Sequence, residues 1–209
     1  MPRLPFVPTI IVALAVAAMI GLGLWQLDRR AEKARALATY ATNLGKPAMA
    51  FPRYPVGDMN LFRRAGAHCL QVTGWTRQGG RSASGANGWR QLARCRTGAE
   101  GPVLTVDMGV TPDPGFRPQW RGGEVTGTIT YAPDHRPLLA GLFESAPRTL
   151  MLVSDTAAPG LTPSARPELS SVPNNHLAYA VQWFLFAGVA AVIYLLALLW
   201  REKKAAPPA

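Results

Sequence analysis

Two charge-free apolar runs, one near each end, constrain this chain more than any other feature of it. From Pro8 to Leu27 ("PTIIVALAVAAMIGLGLWQL") and from Leu177 to Trp200 ("LAYAVQWFLFAGVAAVIYLLALLW") there is no Asp, Glu, Lys or Arg. A helix needs about 20 apolar residues to cross roughly 30 Å of hydrocarbon, so residues 8–27 and 175–200 read as two transmembrane helices. A cleavable signal peptide has a shorter apolar core and a small-x-small cleavage site; the expectation here is therefore an uncleaved anchor. No Arg- and Ser-rich presequence stands before it, which points to a bacterial inner membrane. Two spans place both termini on one side and residues 28–175 on the other. The charges flanking the spans do not choose the side, because Arg3, Arg201, Lys203 and Lys204 at the ends face Arg29, Arg30, Lys33 and Arg35 after the first span.

The middle of the chain has a different character. Residues 28–45 ("DRRAEKARALATYATNLG") have helical composition and read as an extension of the first span. From 46 to 172, β-forming residues cluster in short runs: "CLQVTGWTR", "GWRQLARC", "PVLTVDMGV", "EVTGTITYA" and "TLMLVSD". Gly, Pro, Ser and Asn separate them at "QGGRSASGANG", "TGAEGP" and "TPDPGFRP", as antiparallel hairpins and longer loops require. The fold expected is membrane α plus β: two antiparallel helices flanking one extramembrane antiparallel β-rich domain, closed as a barrel or packed as a sandwich to hide its edges. Residues 201–209 form a tail whose Ala/Pro end is expected to lack structure. Cys69 and Cys95 lie on candidate neighbouring strands. They are either a disulfide closing the segment between them, which would place the domain in an oxidising compartment, or two thiols packed as small hydrophobes.

Several chemistries are disfavoured. "GGRSASGANG" lacks the Lys-Ser/Thr ending of a phosphate loop and reads as a hairpin connection. His68 and His135 sit in polar contexts without a nucleophile-elbow pattern, so a hydrolase triad is not indicated and both read as solvated surface histidines. His68, Cys69, Cys95 and His135 lack the CxxC or HxxxH spacing of a metal site. The net charge of +10 suits anionic lipid headgroups of a bilayer, and two membrane spans exclude nucleic acid as a partner.

What remains is "NNHLAYAVQWF", residues 174–184, at the mouth of the second span. At 100° per residue, His176, Tyr179, Ala180, Trp183, Ala187, Ala190 and Tyr194 share one stripe. An antiparallel partner helix brings Trp25, Gln26, Arg29 and Arg30 to the same level as His176, Tyr179, Gln182 and Trp183, and small residues on both faces let the backbones approach. Two readings of this cluster stand. Trp, Tyr and Arg form ordinary belts at membrane interfaces, which leaves the histidine unexplained. Alternatively, His176, in the first turn behind Asn174 and Asn175, supplies the neutral imidazole that haem iron binds. The rings then stack on a macrocycle and Arg29 or Arg30 meets a propionate.

The chain resembles the Surfeit-locus family of cytochrome c oxidase assembly proteins. "LGLWQLDRRAEK" at 22–33 is similar to the family's Gly-x-Trp-Gln-x-x-Arg signature at the exit of the first span. "NNHLAYAVQWF" is similar to its Asn-x-His-Leu-x-Tyr-x-x-x-Trp signature at the entrance to the second. "PVLTVDMGVTPDP" resembles a central strand usually written with Asn-Arg-Gly, with Asp107, Met108 and Gly109 here; "ARPELSSVP" replaces the family's Gly-Gly-Gln-rich approach to the second motif. The resemblance implies a non-enzymatic factor assisting haem a delivery to oxidase subunit I, with haem a synthase as a further partner. It implies a periplasmic domain with both termini cytoplasmic, and it carries function to Gly23, Trp25, Gln26, Arg29, His176, Tyr179 and Trp183, His176 being the axial iron ligand. The competing expectations are a two-span scaffold that stabilises an oxidase intermediate without haem, and a membrane redox enzyme using bound haem.

Overall fold

The computed structural model describes residues 5–53, 57–98, 101, 103–134 and 148–205, with side chains described as far as Arg201. His135 and the Ala/Pro end after Ala205 lie outside the described residues. The chain divides into two compact units, residues 1–35 with 173–209, and residues 36–172.

The first unit is a pair of helices. Helix α1 (Phe6–Leu44) runs without a break through the apolar run and the charged stretch after it, and helix α2 (His176–Ala205) contains the second run. Each has a window long and apolar enough to cross a membrane, and only 6% of either window is buried within the protein. Surfaces this apolar are stable only against lipid or another apolar phase. The helices are antiparallel: Thr9 hydrogen-bonds Tyr194, Gly23 lies under the Phe184 ring, and Gln26 bonds His176, so rising numbers on one helix meet falling numbers on the other. A Cβ at Gly23 would fall 2.5 Å from Phe184 Cε1, so any other residue there displaces the ring. Ala180 and Ala187, fully or almost fully buried, are the small residues on α2 that let the backbones close.

The second unit holds one seven-stranded sheet: β1 (Met49–Ala50), β2 (Arg64–Cys69), β3 (Gln71–Arg81), β4 (Asn87–Arg96), β5 (Val103–Thr111), β6 (Gly123–Tyr131) and β7 (Leu150–Ser154). The order across it is β1-β2-β6-β7-β5-β4-β3. All five strands expected from the β-rich runs are present. Two features differ from expectation. The sheet is mixed, because β7 inserts between β5 and β6 and pairs parallel to β5, and β1 pairs parallel to β2. It is also not a closed barrel: among the described residues no ladder joins β1 or β2 to β3, and β1 and β3 remain edges.

The sheet nevertheless curls strongly. β2 and β3 are five steps apart in the order, about 24 Å in a flat sheet. Only Leu70 separates Cys69 from Gln71, a reach of at most about 7 Å. The curl also decides the cysteines. They are disulfide-bonded, with Cα atoms 5.3 Å apart, but β2 and β4 are not paired neighbours as expected; the bond forms at the corner where β2 passes into β3 and the Leu70 N–H donates to the Arg96 carbonyl at 2.9 Å, and both residues are buried.

Core packing follows the strand period. Leu150 and Leu152 of β7 join the main cluster with Ala65, Val106, Met108, Val125 and Ile129, while Met151 and Val153 face the other way, with Leu92. The last turns of α1, from Ala36 on, belong to this unit. Asn43, fully buried, donates to the carbonyls of Met59 and Leu61 at 2.7 and 2.9 Å, and Tyr40 packs on Phe62 and donates to Asp58 at 2.9 Å. A second anchor lies in β5. Asp107, fully buried, accepts from Arg90 Nη2 at 2.6 Å, from Ser164 Oγ at 2.7 Å and from the Gly109 N–H at 3.1 Å. Gly109 has φ 125°, and a Cβ there would lie 2.6 Å from the Thr162 carbonyl oxygen, so no other residue fits.

Candidate functional site

The first turn of α2 begins after Pro173, Asn174 and Asn175, and is closed by the Tyr179 N–H donating to the Asn175 carbonyl at 3.3 Å. His176 is thereby held at the helix start, half-buried, and its Nδ1 lies 2.7 Å from Gln26 Oε1 of α1. This bond links the two stretches singled out in the sequence at one level of the helix pair. Two residues before His176, Asn174 Oδ1 is buried and finds no hydrogen-bond donor among the described residues.

The other expected residues have different surroundings. Trp25 and Tyr179 are about half exposed, at 49% and 51%. The Arg29 guanidinium lies 5.5 Å over the Trp25 ring and also pairs with Glu32 at 2.7 Å. Arg30 is exposed. Trp183 is half-buried and meets Phe186 edge-to-face. Among the described residues no ring contact joins Trp25, Tyr179 or Trp183 to one another. Sequence reasoning missed Phe184, which covers Gly23, and Glu32, which holds Arg29; the i,i+3 spacing of Arg29 and Glu32 was the available signal.

Cys69 and Cys95 are consumed by their mutual bond, and among the described residues no group of three His, Cys, Asp or Glu side chains is placed to hold an ion. His68 is exposed, as expected, and its Nδ1 pairs with Glu124 at 2.6 Å. It lines a cavity of about 320 Å³ in the sheet unit with Phe51, Arg53 and Leu104, which contains none of the residues expected to be functional.

The pattern that defines the SURF1 family matches residues 13–188. The chain belongs to the SURF1 family. A SURF1-like protein of Monosiga brevicollis is 22% identical over 217 residues, covering 84% of this chain and 81% of the relative. The SURF1 match takes in both helix-end signatures and the whole sheet unit between them, so this is one continuous family architecture. The SURF1 family is one of oxidase assembly factors and not of enzymes. Gly23, Gln26 and His176 of its signatures here have direct structural roles, the first in helix packing and the other two in the bond that bridges the helices.

Proposed function

We propose that the protein assists assembly of a haem-copper cytochrome c oxidase by holding haem a against the outer ends of its two helices and passing it to subunit I, with haem a synthase as the donor partner. The observation that carries this reading is the Gln26–His176 bond, which places one imidazole at the meeting point of the two SURF1 signatures. The surroundings fit a haem: a half-buried imidazole with a ring nitrogen to spare, two half-exposed aromatic rings at Trp25 and Tyr179, a buried acceptor at Asn174 with no donor among the described residues, and cations at Arg29 and Arg30. His176 would be the residue that ligates the iron of a haem bound there, and the haem would supply the redox-active group that the oxidase needs. The protein's part is to bind and orient: Trp25, Tyr179 and Trp183 pack the macrocycle, and Arg30, or Arg29 released from Glu32, meets a propionate.

The same reading puts the protein in a bacterial inner membrane with the sheet unit periplasmic and both termini cytoplasmic. The disulfide supports that side, since such bonds persist in oxidising compartments. The test is haem content by pyridine haemochrome spectrum of full-length protein purified in detergent from cells that make haem a. His176→Ala is expected to lower haem content at least about ten-fold, since even the outer-shell partners of a metal ligand are typically worth about 10–100-fold, while His68→Ala and His135→Ala keep it. Wild-type protein without haem, from cells whose oxidase assembly still depends on it, would favour a scaffold acting through protein contacts alone.

A further inference from the structure

We infer that Gln26 is a positioning residue: it fixes the tautomer and rotation of the His176 ring so that Nε2 is the nitrogen left to bind a ligand. This rests on the reading of His176 as an iron ligand, but the ring geometry can be tested without iron. An amide oxygen can only accept a hydrogen bond. With Gln26 Oε1 facing Nδ1 at 2.7 Å, the bond forms only when the proton is on Nδ1. A neutral imidazole has one N–H, so its second nitrogen, Nε2, keeps the lone pair. A histidine side chain free in water favours the opposite tautomer, with the proton on Nε2, so Gln26 reverses the intrinsic preference.

The bond also fixes the direction of the ring. Its two ends lie on different helices, and Gly23, three residues before Gln26, holds the helices close by accepting the Phe184 ring against its backbone. The imidazole thus has one edge tied to α1 and the other turned away from that contact. Histidine ligands are commonly oriented in this way by an acceptor on the remote nitrogen, and loss of such an acceptor typically costs 10–100-fold in affinity. The glutamine in the first signature and the histidine in the second then form one functional unit.

The test uses full-length, haem-free protein in detergent micelles, labelled with ¹⁵N-histidine and held at a pH where the ring is neutral; His176→Ala assigns the signal. Wild type is expected to show the proton on Nδ1. Gln26→Leu, which removes the acceptor, is expected to move it to Nε2, and Gln26→Glu, which keeps an acceptor, to retain it on Nδ1. The same variants are then titrated with ferric protoporphyrin IX, with a fall in affinity of about ten-fold or more expected for Gln26→Leu and recovery for Gln26→Glu. A wild-type proton on Nε2, or a tautomer unchanged in Gln26→Leu, overturns the inference. If the tautomers behave as expected but His176→Ala binds the porphyrin as wild type does, the role of Gln26 toward the ring stands and the iron-ligand reading is the one that fails.

Discussion

Reducing the Cys69–Cys95 bond should destabilise the sheet unit by an amount that can be worked out beforehand. The bond links residues 26 apart in sequence, and the chain-entropy relation gives about 3.5 kcal/mol for a loop of that length. At about 2.1 cal/mol/K of unfolding entropy per residue, a unit of about 140 residues loses roughly 12 °C of midpoint for that energy. Reduction leaves both sulfur atoms in the core, so it isolates the cross-link; a Cys69→Ala, Cys95→Ala double variant also leaves space at two buried positions and should melt lower still. The assay is thermal unfolding of the full-length protein in detergent with and without reductant, alongside a count of free thiols. Tryptophan fluorescence reports this unit through the edge-to-face pair of Trp75 and Trp120, whose ring centres are 6.4 Å apart. Two free thiols before reduction would show that the bond does not form. A shift below about 3 °C after complete reduction would show that the curl of the sheet already confines the two strands, and the entropic reasoning would be refuted.

Asp107→Ala strands Arg90, Ser164 Oγ and the Gly109 N–H around a buried site and should cost about 3–5 kcal/mol. Asp107→Asn keeps an acceptor for the last two and should cost about 2 kcal/mol; equal losses in urea unfolding would mean that the ion pair dominates and the two neutral donors contribute nothing. Burial first, and then the hydrogen bond to Asp58 and its negative charge, push the Tyr40 hydroxyl from 10.0 up to about 12. Because the fold favours the protonated form, this contribution is fully present below pH 10 and is lost as pH rises through about 12. Wild type should therefore lose stability relative to Tyr40→Phe across that window, and parallel curves for the two proteins would exclude Tyr40 as the group responsible.

What could be read from the sequence follows the range over which each determinant acts. The two helices are written in local composition, as charge-free runs, and so are the five strands rich in Val, Thr, Leu and Trp. Strand β2, "RAGAHC", has little intrinsic preference for the extended state. It becomes a strand because six successive residues, Arg64 to Cys69, pair with β6, a partner more than 50 residues away that no local pattern reveals. The parallel insertion of β7 is hidden for the same reason: five consecutive buried residues mark a central strand but not its neighbours. The disulfide was half legible, since the residues were evident while their route to one another depends on the curl of the whole sheet.

The site was legible to the extent that helix geometry could be propagated from one end of the chain to the other. The antiparallel pairing placed Gln26 level with His176 before any contact was known, but it could not say that these two side chains would bond while the aromatic rings around them stay apart. Asp107 carries the argument a step further. Asp107 is a carboxylate in the middle of a central strand, and full burial would make it costly if it stood alone. Arg90 on the adjoining strand supplies the compensating charge at 2.6 Å, while Gly109 and Ser164 bond the other oxygen. Asp107 thus acts as an acceptor tying β5 to Ser164, and its ion pair with Arg90 ties β5 to β4. The buried carboxylate is therefore accommodated within the sheet, and the helix-end signatures hold the residues on which the proposed chemistry depends.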